Sequence, residues 1–368
     1  MTDTKLTKPV REDLRFDVRA LESYLQQHAL IAGFQSIENV EQFTSGQSNP
    51  TYLLTCRCRK SALDAGRQLK IVLRKKPAGQ LLQSAHQIER EYRVMEALGK
   101  SAVAVPEVLH LCLDDTIIGT AFYLMHYLSG RIFKDPALPG LDAGARHAVY
   151  SAAADMMARI HDVDLERLGL VDYGRTGGFV ARQLNRWTRQ YQASITEAIP
   201  EMDRLIDWLT ANIPADDAGA KATLIHGDYR LDNMIFHESK NEILAVLDWE
   251  LSTLGNPLSD LGYFSLIYYL APETPAIAGL QGLDLTALGI PTRDQFARSY
   301  LESRLPCHIS AEDMSEAQKY FVVFALFRLA AIAQGVAARA RQGIASSVEA
   351  ERVGSMARPC ARLALSLI

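Results

Sequence analysis

Apolar and polar positions along the chain fall into two regimes. Up to residue 128 most apolar runs are short and alternate with polar residues, the two-residue period of half-buried strands. Val40–Phe43, Tyr52–Cys58, Gln68–Leu73, Pro106–Leu113 and Ala121–Tyr127 read as five strands. Two stretches in this region carry the longer helical period instead. Val18, Leu21, Leu25 and Leu30 predict a helix that starts at the acidic cap Asp17 and ends at Gly33, and Ser84–Leu98 reads as one long helix. After Ser129-Gly130 the pattern becomes mostly helical, over 142–161, 179–195, 201–212, 258–270, 293–303 and 311–340. One strand-like region interrupts it, at 223–250.

These elements predict an α+β chain of two parts. Residues 1–128 form a small antiparallel β-sheet lobe, with a helical arm at 13–32, the sheet over 38–127 and the helix 84–98. Residues 129–368 form a large, mainly helical lobe holding the 223–250 segment. The chain of 368 residues has room for both. Neither an internal repeat nor a low-complexity stretch is visible.

Composition narrows the function. A net charge of −4 with 22% charged residues argues against a nucleic-acid or membrane-surface partner, because both call for a basic excess. No run approaches 18 uninterrupted apolar residues, and Met1–Lys8 is polar, so a cytoplasmic protein is expected. The five cysteines, Cys56, Cys58, Cys112, Cys307 and Cys360, match neither a disulfide framework nor a zinc site; Cys56 and Cys58 read as small hydrophobes on one strand face.

The chemistry concentrates at Leu224–Glu250. An apolar run ends in His226-Gly227-Asp228, with Asn233 five residues beyond Asp228, and the turn-rich stretch His237–Glu242 leads back along a second apolar run to Asp248. Two strands joined by that turn would bring Asp228, Asn233 and Asp248 to one end of a hairpin. The spacing His-x-Asp-x4-Asn is that of a phosphoryl-transfer loop: a carboxylate to orient and deprotonate a hydroxyl, then an amide and a second carboxylate for magnesium.

Three weaker signals in the first lobe acquire meaning beside it. Thr44–Asn49 is a small-residue turn between two strands, able to lay backbone N–H groups over phosphates. On the third strand Val72 and Arg74 share a face, so Val72 could cover an adenine ring while Arg74 reaches the phosphates; Lys75 is a second candidate that alternation turns to the other face. Glu91 lies on the apolar stripe Ile88, Tyr92, Met95, where a carboxylate wants a cationic partner, whereas Glu89 points elsewhere. No Walker A loop precedes Gly99-Lys100-Ser101, because Val94 stands at its first glycine.

Taken together, Gly46–Tyr52, Val72–Pro77, Ala85–Tyr92, Phe122–Met125, Arg182-Gln183 with Arg186-Trp187, and Leu224–Tyr263 resemble the aminoglycoside phosphotransferase and choline kinase superfamily of protein-kinase-like enzymes. Within it the chain is most similar to bacterial phosphotransferases related to the kinase portion of acyl-CoA dehydrogenase fusion proteins. The resemblance implies a bilobal kinase-like fold, ATP and Mg2+ as cofactors, and a small-molecule hydroxyl as acceptor. It makes Asp228 the base, assigns His226 to bracing the loop and counts Arg230 with them as a catalytic residue. Asn233 and Asp248 become magnesium ligands. Ser45, Gly46, Gln47, Ser48 and Asn49 become the nucleotide loop, with Val72, Arg74 and Glu91 at the nucleotide and Met125, His126 and Tyr127 at the adenine hinge. Asp260 corresponds to a supporting aspartate.

The acceptor is less legible. Arg182, Arg186 and Arg189 share one helix face, which with Trp187 suits an anionic substrate such as a CoA ester, and relatives suggest a hydroxyacyl-CoA. Trp249 and Glu250 are further substrate candidates. Aminoglycoside and choline kinases, and a nucleotide-binding pseudokinase, are the competing readings. A protein kinase is disfavoured by the absence of Asp-Phe-Gly and Ala-Pro-Glu segments. Monomer and homodimer are both compatible with the sequence.

Overall fold

A computed structural model of the chain describes residues 6–44, 49–59, 67–77, 87–215, 217–219, 222–304, 311–342 and 348–368. The chain divides into two compact units. The first comprises Met1–Gly130 with Leu244–Glu250, the second Arg131–Ile243 with Leu251–Ile368.

The first unit is built on one antiparallel sheet. Its strands are β1 (Thr7–Pro9), β2 (Phe34–Phe43), β3 (Thr51–Cys58), β4 (Arg67–Lys75), β5 (Val108–Cys112) and β6 (Phe122–His126), in the order β1-β2-β3-β4-β6-β5. β2 begins six residues before the expected Val40. Alternation sorts the side chains of β4 as the sequence predicts. Ile71 and Leu73 enter an apolar cluster with Leu54, Cys56, Phe122 and Leu124, covered by Leu21 and Leu25 of helix α1 (Val18–Gln27). Asp17 caps α1 by accepting from the N–H groups of Arg19 and Ala20. Cys56 and Cys58 are buried on that same face. Val72 and Arg74 occupy the opposite face, paired in register with Met125 and Tyr123 of β6. Helix α2 (Ile88–Leu98) starts within the described residues at Ile88, the predicted positions 84–86 lying outside them.

In the second unit, α3 (Ala143–His161), α4 (Phe179–Ala193) and α5 (Pro200–Ala211) lie close to their expected bounds. Three short strands follow: β7 (Thr223–Ile225), β8 (Met234–Phe236) and β9 (Ile243–Val246), the last running into the first unit. The hairpin expected across the His237–Glu242 turn is present, with β8 and β9 neighbours in a two-stranded sheet; the partner of β7 is what the sequence left open. β7 takes its partner from β10 (Thr253–Gly255), in the register Ile225 to Thr253 and Thr223 to Gly255. β8 is also tied by two backbone hydrogen bonds of 2.8 Å to Arg131, and the turn that leads from it to β9 closes between the His237 N–H and the Glu242 carbonyl. A three-residue run has too few ladder bonds to announce its partner, so pairing is settled by where β10 arrives.

The remaining helices are α6 (Leu258–Phe264), α7 (Leu285–Leu288), α8 (Arg293–Ser303), α9 (Ala311–Arg341), α10 (Val348–Gly354) and α11 (Ala357–Leu365). Gln318–Arg341 of α9 is long and apolar enough to cross a membrane by length and composition, yet 72% of its most apolar stretch is buried inside the protein. It packs against α4, α6 and α11, so its apolarity is that of a core helix. One charge, Arg328, stands alone between Lys319 and Arg339.

Candidate active site

Within the first unit, β4 and α2 bring a cation and a carboxylate together away from water. Arg74 Nε lies 2.9 Å from Glu91 Oε2, and its Nη2 donates to Glu91 Oε1 at 3.2 Å. Glu91 also accepts from the Tyr123 hydroxyl at 2.9 Å and the Asn49 amide at 3.0 Å. The carboxylate on the apolar stripe of α2 therefore has the partner its burial requires. Arg74 Nη2 reaches two more carboxylates of this unit, Asp248 Oδ1 at 2.9 Å and Glu250 Oε2 at 3.4 Å. Burial opposes the Arg74 charge, but Glu91, with Asp248 and Glu250, outweighs it and keeps the guanidinium protonated. Glu91, Asp248 and Glu250 hold oxygens within 4.8 Å of one another, a hard donor set of the kind a divalent cation takes.

Neighbouring candidates separate cleanly. Lys75 lies over the rings of Phe16 and Tyr52 on the other face of β4, and Glu89 pairs with Lys76 at 2.9 Å. Val72 is buried beside Arg74. Met125 pairs with Val72, the His126 N–H donates to the Glu107 carbonyl at 2.9 Å, and the Tyr127 ring lies under Lys70. Trp249, a substrate candidate from the sequence, is almost fully buried, with its indole N–H on the Val246 carbonyl at 3.0 Å. That leaves no face of it for a substrate. Glu250 belongs with the Arg74 cluster instead. Ser45, Gly46, Gln47 and Ser48 lie outside the described residues.

Within the second unit, the loop after β7 is fastened from below. Asp260 of α6 accepts from the backbone N–H groups of His226 at 2.7 Å and Gly227 at 2.8 Å, and pairs with His161 Nε2 at 3.2 Å. Burial pushes the Asp260 carboxyl up, but His161 and the His226 N–H overcome it and hold it below the ordinary range. Buried His226 completes the brace, its Nδ1 accepting from the Asp228 N–H at 3.2 Å. Gly227 has φ +82°, and a Cβ there would sit 2.5 Å from the Leu251 carbonyl oxygen. Only glycine fits.

The loop presents Asp228 in a defined setting. The Asn233 amide donates to the Asp228 carbonyl at 2.9 Å and to its Oδ2 at 3.0 Å, which leaves Asn233 Oδ1 for a ligand. Tyr263 of α6 adds a side-chain hydrogen bond to Asp228; burial, then the Asp228 charge, push its phenol well up, so it stays protonated and donates. Arg230 pairs with Asp232 two residues on, in an ion pair that keeps it cationic despite burial.

The arginine face proposed on α4 divides. Arg182 folds back onto the carbonyls of Gly177 and Arg175, and Arg189 is exposed against its own helix. Arg186 alone lines a cavity of about 50 Å³, with Trp187, Gly227, Tyr263 and Arg328. Arg328 and Tyr263 were missed by sequence reasoning. The available signal for Arg328 was its isolation as the one charge in a strongly apolar helical run.

Residues 39–296 match the sequence pattern of the phosphotransferase enzyme family. Mouse acyl-CoA dehydrogenase family member 10 is 46% identical over 360 residues, 97% of this chain and 32% of that protein. The chain spans between about a third and about a half of the curated relatives it matches, with 43% of an Arabidopsis thaliana relative and 45% of a rat one. A crystal structure from Ralstonia eutropha, described as a candidate aminoglycoside phosphotransferase, is similar over 96% of this chain and 98% of its own at 41% identity and TM-score 0.81. Choline kinase from Cryptosporidium parvum shares the fold at 12% identity, TM-score 0.63, over 95% of this chain and 96% of its own.

Proposed function

The chain belongs to the phosphotransferase enzyme family, and from that membership we propose that it moves the γ-phosphate of ATP, with magnesium, to a hydroxyl of a small anionic molecule. The observation that carries this reading is the setting of Asp228. Its carboxylate is oriented by Asn233 and Tyr263 on a loop whose backbone Asp260 holds. A fixed carboxylate of this kind orients an acceptor hydroxyl and takes its proton as the new O–P bond forms, while the bond from the γ-phosphorus to the bridging oxygen breaks and ADP leaves.

The donor chemistry fits magnesium. Asn233 offers an amide oxygen, and Asp248 a carboxylate held by a cation. These are the two positions the family resemblance assigns to the metal, which when bound neutralises charge on the phosphates. Arg74, clamped by Glu91, is the cation for the phosphate oxygens. Its forked donors suit that role, and lysine would not reproduce them.

For the acceptor, the names of the acyl-CoA dehydrogenase relatives motivate a hydroxyacyl-CoA. A polycationic aminoglycoside is disfavoured by the arginines lining the cavity beside the loop. The test is ADP release across hydroxyacyl-CoAs, free hydroxy acids, choline and aminoglycosides, with wild type and Asp228→Asn. We expect transfer to anionic hydroxyl compounds, reduced at least about 100-fold in the variant with ATP binding intact. Undiminished turnover in Asp228→Asn, or a preference for aminoglycosides, would overturn the reading.

A further inference from the structure

The cavity beside Gly227 holds two arginines with no carboxylate between them. Arg328 donates from Nη1 to the Gly227 carbonyl at 2.7 Å, the central residue of the His226-Gly227-Asp228 turn. Its guanidinium carbon lies 4.7 Å from the Tyr263 ring centre and 5.3 Å from that of Trp187, whose other neighbour is Arg186 at 5.6 Å. Two cations thus meet one indole. Among the described residues neither arginine has an acidic ion-pair partner, and the buried Arg328 Nε has no hydrogen bond at all. Asp260 also lines the cavity, but both of its oxygens are committed to the loop backbone and His161. Asp228 is engaged by Asn233 and Tyr263.

Adjacent like charges around an unpaired buried donor are unfavourable unless an anion joins them. Burial, with Arg328 nearby, already depresses the proton affinity of Arg186. A space of about 50 Å³ has room for a carboxylate or a phosphoryl group. Tyr263 ties this pocket to the loop's carboxylate, because one ring stacks on Arg328 while its hydroxyl meets Asp228.

We propose that Arg328 and Arg186, which line the same cavity beside the Trp187 ring, form an oxyanion subsite that seats a carboxylate or phosphoryl group of the acceptor. The group lies on the flank of the loop that carries Asp228. This deepens, and rests on, the phosphotransferase reading above. It makes Arg328 a specificity residue with two contacts: the acceptor's anionic group, and the Gly227 carbonyl that sets the loop.

Two measurements test it. Calorimetry with inorganic phosphate and with acetate should show binding to the wild-type chain under saturating ATP analogue. Affinity should drop at least tenfold in Arg328→Gln and in Arg186→Gln, the second lying at the surface where folding is undisturbed. Turnover of matched acceptors, a hydroxy acid, its phosphate counterpart and its neutral methyl ester, should favour an anion at least 30-fold in the wild type. That ratio should collapse in both variants with the KM for ATP unchanged, and the better anion identifies the group. Equal phosphate and acetate affinity in wild type and variants, or no preference over the ester, overturns the subsite. Anion binding that is lost in the variants, in a wild-type chain that releases no ADP, would uphold the subsite and overturn the kinase reading.

Discussion

Asn233 donates one amide group to Asp228 twice, to the backbone carbonyl at 2.9 Å and to the carboxylate at 3.0 Å. The five-residue loop is thereby closed on itself, and the second residue of the spacing orients the first. An amide can serve both roles because its NH2 donates while its oxygen accepts.

Tyr263 is the other donor to that carboxylate. Tyr263→Phe keeps the ring on Arg328 and removes only the hydroxyl. A hydrogen bond to a charged group contributes about 1.5–3 kcal/mol, so kcat should fall roughly 10- to 100-fold with little change in the KM for ATP. Steady-state kinetics would read this directly. An unchanged kcat would mean the hydroxyl does not orient Asp228.

Glu91→Ala removes the buried partner of Arg74 and takes from the Tyr123 hydroxyl and the Asn49 amide the carboxylate to which they donate. Breaking a buried pair by removing one member costs about 3–5 kcal/mol. Urea unfolding should show a loss of that order. A loss below about 1 kcal/mol would show that Asp248 and Glu250 replace Glu91 around the guanidinium.

Gly227→Ala should be damaging although it adds one methyl group. The backbone has φ +82° and the new Cβ would meet the Leu251 carbonyl oxygen at 2.5 Å. Strain of this kind costs about 1–3 kcal/mol, or the loop shifts and Asp228 moves with it. Thermal unfolding and kcat measured together should show at least one clear decrease.

Asp260 supplies a pH dependence of known sign. Its carboxyl lies below the ordinary range when folded, so the folded state binds fewer protons than the unfolded chain. Its contribution is complete above about pH 4, the ordinary carboxylate value, and falls as pH drops through the lower folded value. Asp260→Asn should lower stability near neutral pH and flatten the acid limb of the stability curve. Urea titrations at several pH values would check both. An acid limb as steep as wild type would assign the dependence to other groups.

Much of the organisation is local and so was legible in the sequence. Alternation on β4 placed Arg74 opposite the apolar cluster and Lys75 with it, and the helical period put Glu91 where a cation must meet it. The helices expected at 142–161 and 293–303 followed from their helical pattern, and the structure adds the caps Asp142 and Thr292. The loop spacing needed no fold to be read, because five residues set which side chains can meet.

The β7–β10 pairing and the cavity were decided only in three dimensions. β7 is too short to declare that its partner is β10, and a one-face arginine pattern on α4 cannot reveal that Arg182 folds back to cap its own loop. Arg328 lies 101 residues after Gly227 and reaches its carbonyl only because α9 packs beside α4 and α6. Local periodicity determines which face a residue takes. Which distant groups share that face depends on packing, and that is where the Arg186 and Arg328 pocket originates.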